Sequence, residues 1–145
     1  MKGYPPYFLG TLMLTVVVVF VTGLLLIPSL FTFRLDIDWF SDFPNSWRTP
    51  SATLHTGMSL LFLMLVGALW SIHMRSGWAR KLQRVSGGLL VGSLLVLTLS
   101  ALGIFYFGDE DWSMAASIIH LVLGGVMGLM FVWHWQKGRR LLMAR

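Results

Sequence analysis

The sequence predicts an all-α integral membrane protein, a four-helix bundle whose spans run up, down, up and down with both termini in the cytoplasm. Three observations predict it. Four apolar runs of about twenty residues each are long enough to cross a hydrocarbon core roughly 30 Å thick. Hydrophobic residues make up 56% of the 145 and charged residues 12%, where a soluble domain carries about a quarter charged; mean hydropathy is +0.73. The charges also sort themselves by connector, as described below. By length the chain is a single transmembrane domain, residues 1–145.

The first span is expected over about residues 8–31, carrying Val16–Val19 and Leu24–Ile27. Its apolar run exceeds the roughly 7–15 residues of a signal-peptide core and no small-x-small cleavage site follows, so it reads as a retained helix. Pro28 lies near its end, where a kink or stop is tolerated. Residues 32–51 form the outer segment, in which Asp36, Asp38, Asp42, Arg34 and Arg48 alternate with Trp39, Phe40, Phe43 and Trp47. Such a mixture suits a stretch lying at the membrane surface; a lid over a cofactor or quinone pocket is the functional alternative.

The second span is expected over about residues 52–74, with Thr49-Pro50-Ser51 as its start. A basic connector of Arg75, Arg80, Lys81 and Arg84 follows. The third span, about 86–107, carries Gly88, Gly92, Ser93, Ser100 and Gly103, small residues that let helices approach closely. Gly108-Asp109-Glu110-Asp111 makes a tight acidic turn into the fourth span, about 113–135, and the tail from Lys137 is basic.

The orientation comes from the charges. Lys2, the second connector and the tail hold nine of the eleven Lys and Arg. The first and third connectors hold Arg34, Arg48 and all six acids. Basic connectors stay in the cytoplasm, so both termini and Arg75–Arg84 are expected there. The pI near 10.3 therefore reflects topology and anionic lipid, and no nucleic-acid partner is expected, since the basic residues flank apolar runs.

Cysteine is absent. That removes disulfides, thiolate zinc sites, cysteine-held iron–sulfur clusters and covalent c-type haem. The four histidines are the chemical feature that remains. His55 and His73 lie on the second span, His120 and His134 on the fourth. From His120 to His134, fourteen steps of about 100° come within about 40° of four turns, over about 21 Å. From His55 to His73, eighteen steps make about five turns over about 27 Å. On unbroken α-helices each pair shares one face. Spans two and four run in the same direction, so His55 and His120 lie toward the outer side, and His73 and His134 toward the inner side.

Histidine inside a membrane is costly and usually marks a site. Two parallel helices with matched histidines suit two bis-imidazole haem sites, one above the other, with Gly124 and Gly128 leaving room for porphyrin. One haem, or hydrogen bonding between helices alone, are the alternatives. Zinc wants further N, S or O ligands, and the spans hold no carboxylate to supply them. The inner pair, His73 and His134, is the better matched in depth. His55 stands about 6 Å above His120 if the helices are untilted, which keeps Met58 in view as another outer ligand.

The run HTGMSLLFLMLVGALWSIHMRSGWARKLQRVSG, then LTLSALGIFYFGDEDW, then SIIHLVLGGVMGLMFVWHW before Lys137-Gly138-Arg139-Arg140, resembles small bacterial four-helix di-haem membrane cytochromes b. These are the cytochrome b(561)-like and ferric-reductase-like electron carriers. The resemblance covers roughly Leu54–Arg140. It rests most on the four histidines, on His73-x-x-x-Gly77-Trp78, and on Phe107-Gly108-Asp109-Glu110. It implies two b haems ligated by His55, His120, His73 and His134. It also implies a multi-pass protein of the bacterial inner membrane that carries electrons, often from a quinol and often within a larger redox complex.

The expected partners are thus membrane lipid, a quinone, and a redox protein or larger membrane complex. Arg48 and Trp47 outside, and Arg75 and Lys137 inside, are candidates for the haem propionates; Glu110 and Asp111 are candidate proton acceptors. Whether the chain is itself an enzyme is left open. The rival expectation is a haem-free accessory or anchor subunit of a membrane complex.

Overall fold

The computed structural model describes residues 3–40 and 42–143, without the side chains of Leu141 and Leu142. Lys2 and Arg145, counted above among the cytoplasmic charges, lie outside the described residues. The fold is all-α, and no strand occurs among the described residues. Four helices are long and apolar enough to cross a membrane, over Phe8–Arg34, Asn45–Ala79, Arg84–Tyr106 and Glu110–Arg140. The chain divides into two compact units, Met1–His73 and Met74–Arg145, and each is an antiparallel helical pair.

In the first unit α1 (Phe8–Leu25) packs against α3 (Arg48–Leu69). The expected single first span is interrupted at Leu26, and α2 (Ile27–Arg34) continues it. Pro28 explains the break. It has no N–H to give the carbonyl four residues back, and its ring crowds that turn. The Leu26 N–H turns to Gly23 O at 3.1 Å. Beyond α2, Asp36 takes a left-handed conformation with φ 52°, which a short polar side chain tolerates. The outer segment is neither extended nor featureless: it holds two 3₁₀ turns, Asp38–Phe40 and Asn45–Trp47. Trp39 and Phe40 fold back on Phe31, with ring centroids 5.8 and 5.5 Å away.

The second span differs from the single α-helix expected. It starts earlier, at Arg48, so that Pro50 sits in the first turn, where a missing N–H costs nothing. At its far end it opens into a five-residue π-turn, Trp70–Met74, before α4 (Arg75–Ala79). A π-turn holds more residues than an α-turn. The eighteen steps from His55 to His73 therefore do not complete five α-turns, and His73 is set back around the axis by up to one residue's rotation, about 100°.

In the second unit α5 (Arg84–Tyr106) packs along α6 (Glu110–Met143). The connector is stitched by Arg84, whose guanidinium donates to Trp78 O at 2.7 and 2.9 Å. Lys81 and Gln83 take positive φ of 56° and 49° to make the turn. At the other end the acidic turn has a structural use. The Asp109 carboxylate accepts the Trp112 N–H at 3.0 Å, capping α6 as an N-cap residue does. Glu110 and Asp111 then fall in the first turn, where negative charge meets the positive end of the helix dipole.

Where α5 and α6 cross, Gly103 has no room for a side chain. A Cβ there would lie 2.8 Å from the Phe107 ring and 2.9 Å from Ala116 Cβ.

Burial is inverted relative to a soluble protein. Among the described residues the buried apolar side chains are Phe8, Leu12, Phe62, Leu69 and Ala116. The buried polar ones are more numerous: Thr15, Thr22, Ser51, Ser86, Ser100, Ser113 and Ser117. Lipid is as apolar as leucine, so large side chains gain little by turning inward, and small hydroxyl residues take the close helix–helix contacts. Several of these hydroxyls satisfy themselves within their own helix, as Thr15 does with Thr11 O at 2.8 Å and Ser117 with Ser113 O at 2.9 Å.

Candidate functional site

The rings of His55, His120 and His134 are held at Nδ1 by the helix beside them, and the chemistry repeats. On α3, His55 Nδ1 lies 3.0 Å from Val19 O and 3.2 Å from Thr22 Oγ1, both on α1. On α6, His120 Nδ1 lies 3.1 Å from Leu97 O and 3.0 Å from Ser100 Oγ, both on α5. Further along α6, His134 Nδ1 lies 2.9 Å from Ser86 Oγ.

The carbonyls decide the tautomer. A carbonyl oxygen only accepts, so at His55 and His120 the proton sits on Nδ1. The hydroxyls agree. Thr22 donates to Val18 O at 2.6 Å, Ser100 to Leu97 O at 3.0 Å and Ser86 to Gln83 O at 3.3 Å. At Thr22 and Ser100 the hydroxyl proton is thus spent on its own helix, and the oxygen accepts from the imidazole. A neutral imidazole protonated at Nδ1 carries its lone pair on Nε2. A metal-ligating histidine is held in this way, with one ring nitrogen donating to a carbonyl or similar acceptor and the other presented to the metal.

Small residues let the rings reach these acceptors. A Cβ on Gly23, next to Thr22, would lie 3.1 Å from His55 Cε1. One on Gly87, next to Ser86, would lie 3.8 Å from His134 Cε1. The Gln83 amide adds to the same turn: with its nitrogen facing the His134 carbonyl, it donates there at 3.1 Å and accepts from the Gly138 N–H at 3.3 Å.

No family model matches the chain, and no curated protein and no solved structure matches it.

The first unit holds His55 and His73, and the second holds His120, His134, Gly124 and Gly128. His120 and His134 lie on one unbroken helix, α6, fourteen residues apart. Their acceptors Ser100 and Ser86 are fourteen apart on α5. Equal steps on antiparallel helices put both contacts along one seam. In the first unit, eighteen residues separate His55 from His73, and eighteen separate Thr22 from Tyr4. Tyr4 does meet His73, but through the backbone: the His73 N–H donates to Tyr4 Oη at 3.2 Å.

Gly124 sits in ordinary contact with Leu97, where a Cβ would lie 4.0 Å from the leucine methyl, and Gly128 is half-buried on the same helix. Among the described residues no three His, Asp or Glu side chains converge on a point where an ion could be held.

Two of the charged candidates, Arg48 and Lys137, lie against aromatic rings, as does Arg139. Arg48 stands 4.6 Å over Phe33, Lys137 5.4 Å over Trp133 and Arg139 5.4 Å over Trp135. This is cation–π anchoring of the sort found at membrane interfaces.

The hydroxyl acceptors Thr22 and Ser86 escaped the sequence reading, and Ser100 entered it only as a packing residue. Their signal was available in the matched spacings: fourteen against fourteen, and eighteen against eighteen.

Ser100→Ala should leave the His120 ring in place, because Leu97 O still accepts its proton. The cost in stability should be about 0.6 kcal/mol, the usual scale of such a bond between membrane helices. A ¹⁵N spectrum of labelled histidine should keep the Nδ1–H tautomer at His120; a change of tautomer would show that the serine, and not the carbonyl, sets it.

Proposed function

We propose that this protein is a membrane-embedded b-type cytochrome that binds two haems and carries electrons across or within a bacterial inner membrane. The observation that carries the proposal is the repeated Nδ1 restraint at His55, His120 and His134. A bond to a carbonyl fixes the proton on Nδ1 whatever the histidine is for; what favours a ligand is that the same restraint recurs in both helical pairs. At His55 and His120 the neighbouring helix accepts from Nδ1, so Nε2 is the ring nitrogen that bears the lone pair, the form an axial ligand of haem iron takes. The donor set fits the group: porphyrin supplies four nitrogens, the protein only two imidazoles, and the chain has four histidines and no cysteine.

The ligand pairs we assign are His73 with His134 and His55 with His120. The pairing rests on the charge topology of the sequence, which sends the second and fourth spans through the membrane in one direction with both termini cytoplasmic. Bound haem would supply one-electron redox chemistry. The chain's own residues orient the imidazoles through Val19, Thr22, Leu97, Ser100 and Ser86. The apolar spans exclude water around them, and interfacial Arg48, Arg75 and Lys137 are the cations that haem propionates could meet. Quinol on one side and a soluble or membrane redox protein on the other are the partner classes this reading calls for.

The test is direct. Protein purified from cells with ample haem should be red, show the Soret band and the reduced α band of a b-type cytochrome, and carry two haems per chain by pyridine haemochrome assay. A folded but colourless preparation would sink the reading and leave the anchor-subunit alternative standing.

A further inference from the structure

The π-turn at the end of α3 has an identifiable cause. In an α-helix the His73 N–H would bond to Leu69 O, four residues back; in a π-turn it would bond to Ala68 O, five back. The Tyr4 hydroxyl lies against both of these carbonyls, 3.4 Å from each. It also accepts the His73 N–H at 3.2 Å. One side chain thus stands among the donor and the two acceptors whose choice of partner decides the turn. A side chain inserted into the ladder is a recognised origin of such a distortion.

Tyr4 is itself held in place. Its ring stacks on Phe8 with centroids 4.5 Å apart, and Gly3, at φ +96°, brings the segment up to Ile72, whose Cδ1 would lie 3.1 Å from a Cβ at Gly3.

Resting on the di-haem reading above, we propose that Tyr4 is a positioning residue for His73. Its hydroxyl holds the π-turn open, and the turn sets the direction in which the His73 imidazole leaves the helix toward iron. The matched spacing supports this. Tyr4 stands to His73, eighteen residues along each strand of the helical pair, as Thr22 stands to His55. The segment before α1 therefore serves one ligand, whereas α1 itself serves the other. Without the hydroxyl the His73 N–H is released to Leu69 O, the turn closes toward α-geometry, and the ring swings by up to about 100° around the axis.

The experiment compares wild type, Tyr4→Phe and Tyr7→Phe in lipid nanodiscs by haem assay, low-temperature EPR and redox titration. His73→Ala identifies which low-spin signal belongs to that ligand. Tyr4→Phe keeps the aromatic stack and loses only the hydroxyl. It should shift the largest g value and the midpoint potential of the His73 haem, and leave the other haem unmoved. Tyr7→Phe removes a hydroxyl from the same segment, on a side chain that is 71% exposed, and should leave both signals in place.

Two haems in Tyr4→Phe with unchanged spectra would overturn the positioning role while leaving the cytochrome reading intact. Equal shifts in Tyr4→Phe and Tyr7→Phe would also overturn it, by showing that any change to the N-terminal segment moves the signals. A wild-type chain without haem would overturn the proposed function and this inference with it.

Discussion

His73→Ala and His134→Ala are each expected to remove one and the same haem, taking the content from two per chain to one. His55→Ala and His120→Ala should each remove the other. The size of the effect follows from the ligand count. In the proposed di-haem arrangement each iron would draw both axial ligands from the protein, and the cysteine-free chain offers no thiolate to replace one. The four variants should therefore fall into two spectroscopic classes, each lacking one of the two waves of a redox titration. Single variants that lost both haems equally would refute the pairing. Retention of the outer haem in His55→Ala would point to Met58, three residues on, as the ligand in its place.

Gly103→Val should have the largest effect on stability of any substitution outside the histidines. The Ala116 Cβ that a new Cβ would meet at 2.9 Å is fixed to the α6 backbone, so relief requires the two helices to separate. Overpacking of this kind costs about 1–3 kcal/mol, and a β-branched side chain has few rotamers with which to escape. Separation would also draw His120 from Leu97 O and Ser100, since all three lie along the same seam. Thermal unfolding in detergent should fall well below wild type, and on the di-haem proposal the haem at His120 should be the first lost. Gly88→Val, at a glycine where a Cβ meets nothing within 4 Å, is the control expected to be mild. Equal stability of the two variants would show that the α5–α6 contact is not close-packed at Gly103.

How far the linear sequence reached differs from element to element. The four spans were legible because a lipid core demands about twenty apolar residues, a signal that needs no knowledge of neighbours. Their ends were less so. The start expected at Thr49-Pro50-Ser51 is met one residue early, at Arg48, since a helix can extend past the hydrocarbon into the interface. The break at Leu26 had its cause in view in Pro28. The π-turn had none, because its cause is Tyr4, about seventy residues away in the chain. The one-face geometry of His55 and His73 depended on an unbroken α-helix, and that turn is where it departs. By contrast α6 runs unbroken through both its histidines, and the fourteen-residue arithmetic for His120 and His134 stands.

The sequence alone determined the number of spans and the placement of the four histidines, two on each of two helices. Both depend only on what each residue is and how many residues separate it from the next. The tertiary structure alone decided what holds the rings. Thr22, Ser100 and Ser86 are unremarkable hydroxyls in apolar helices until a histidine from the adjoining helix comes within 3.2, 3.0 and 2.9 Å of them. Hydrogen bonds are short and directional, so which hydroxyl meets which imidazole depends on the register and closeness of two packed helices. That register brings Tyr4 to the one turn of α3 that departs from α-geometry, beside His73.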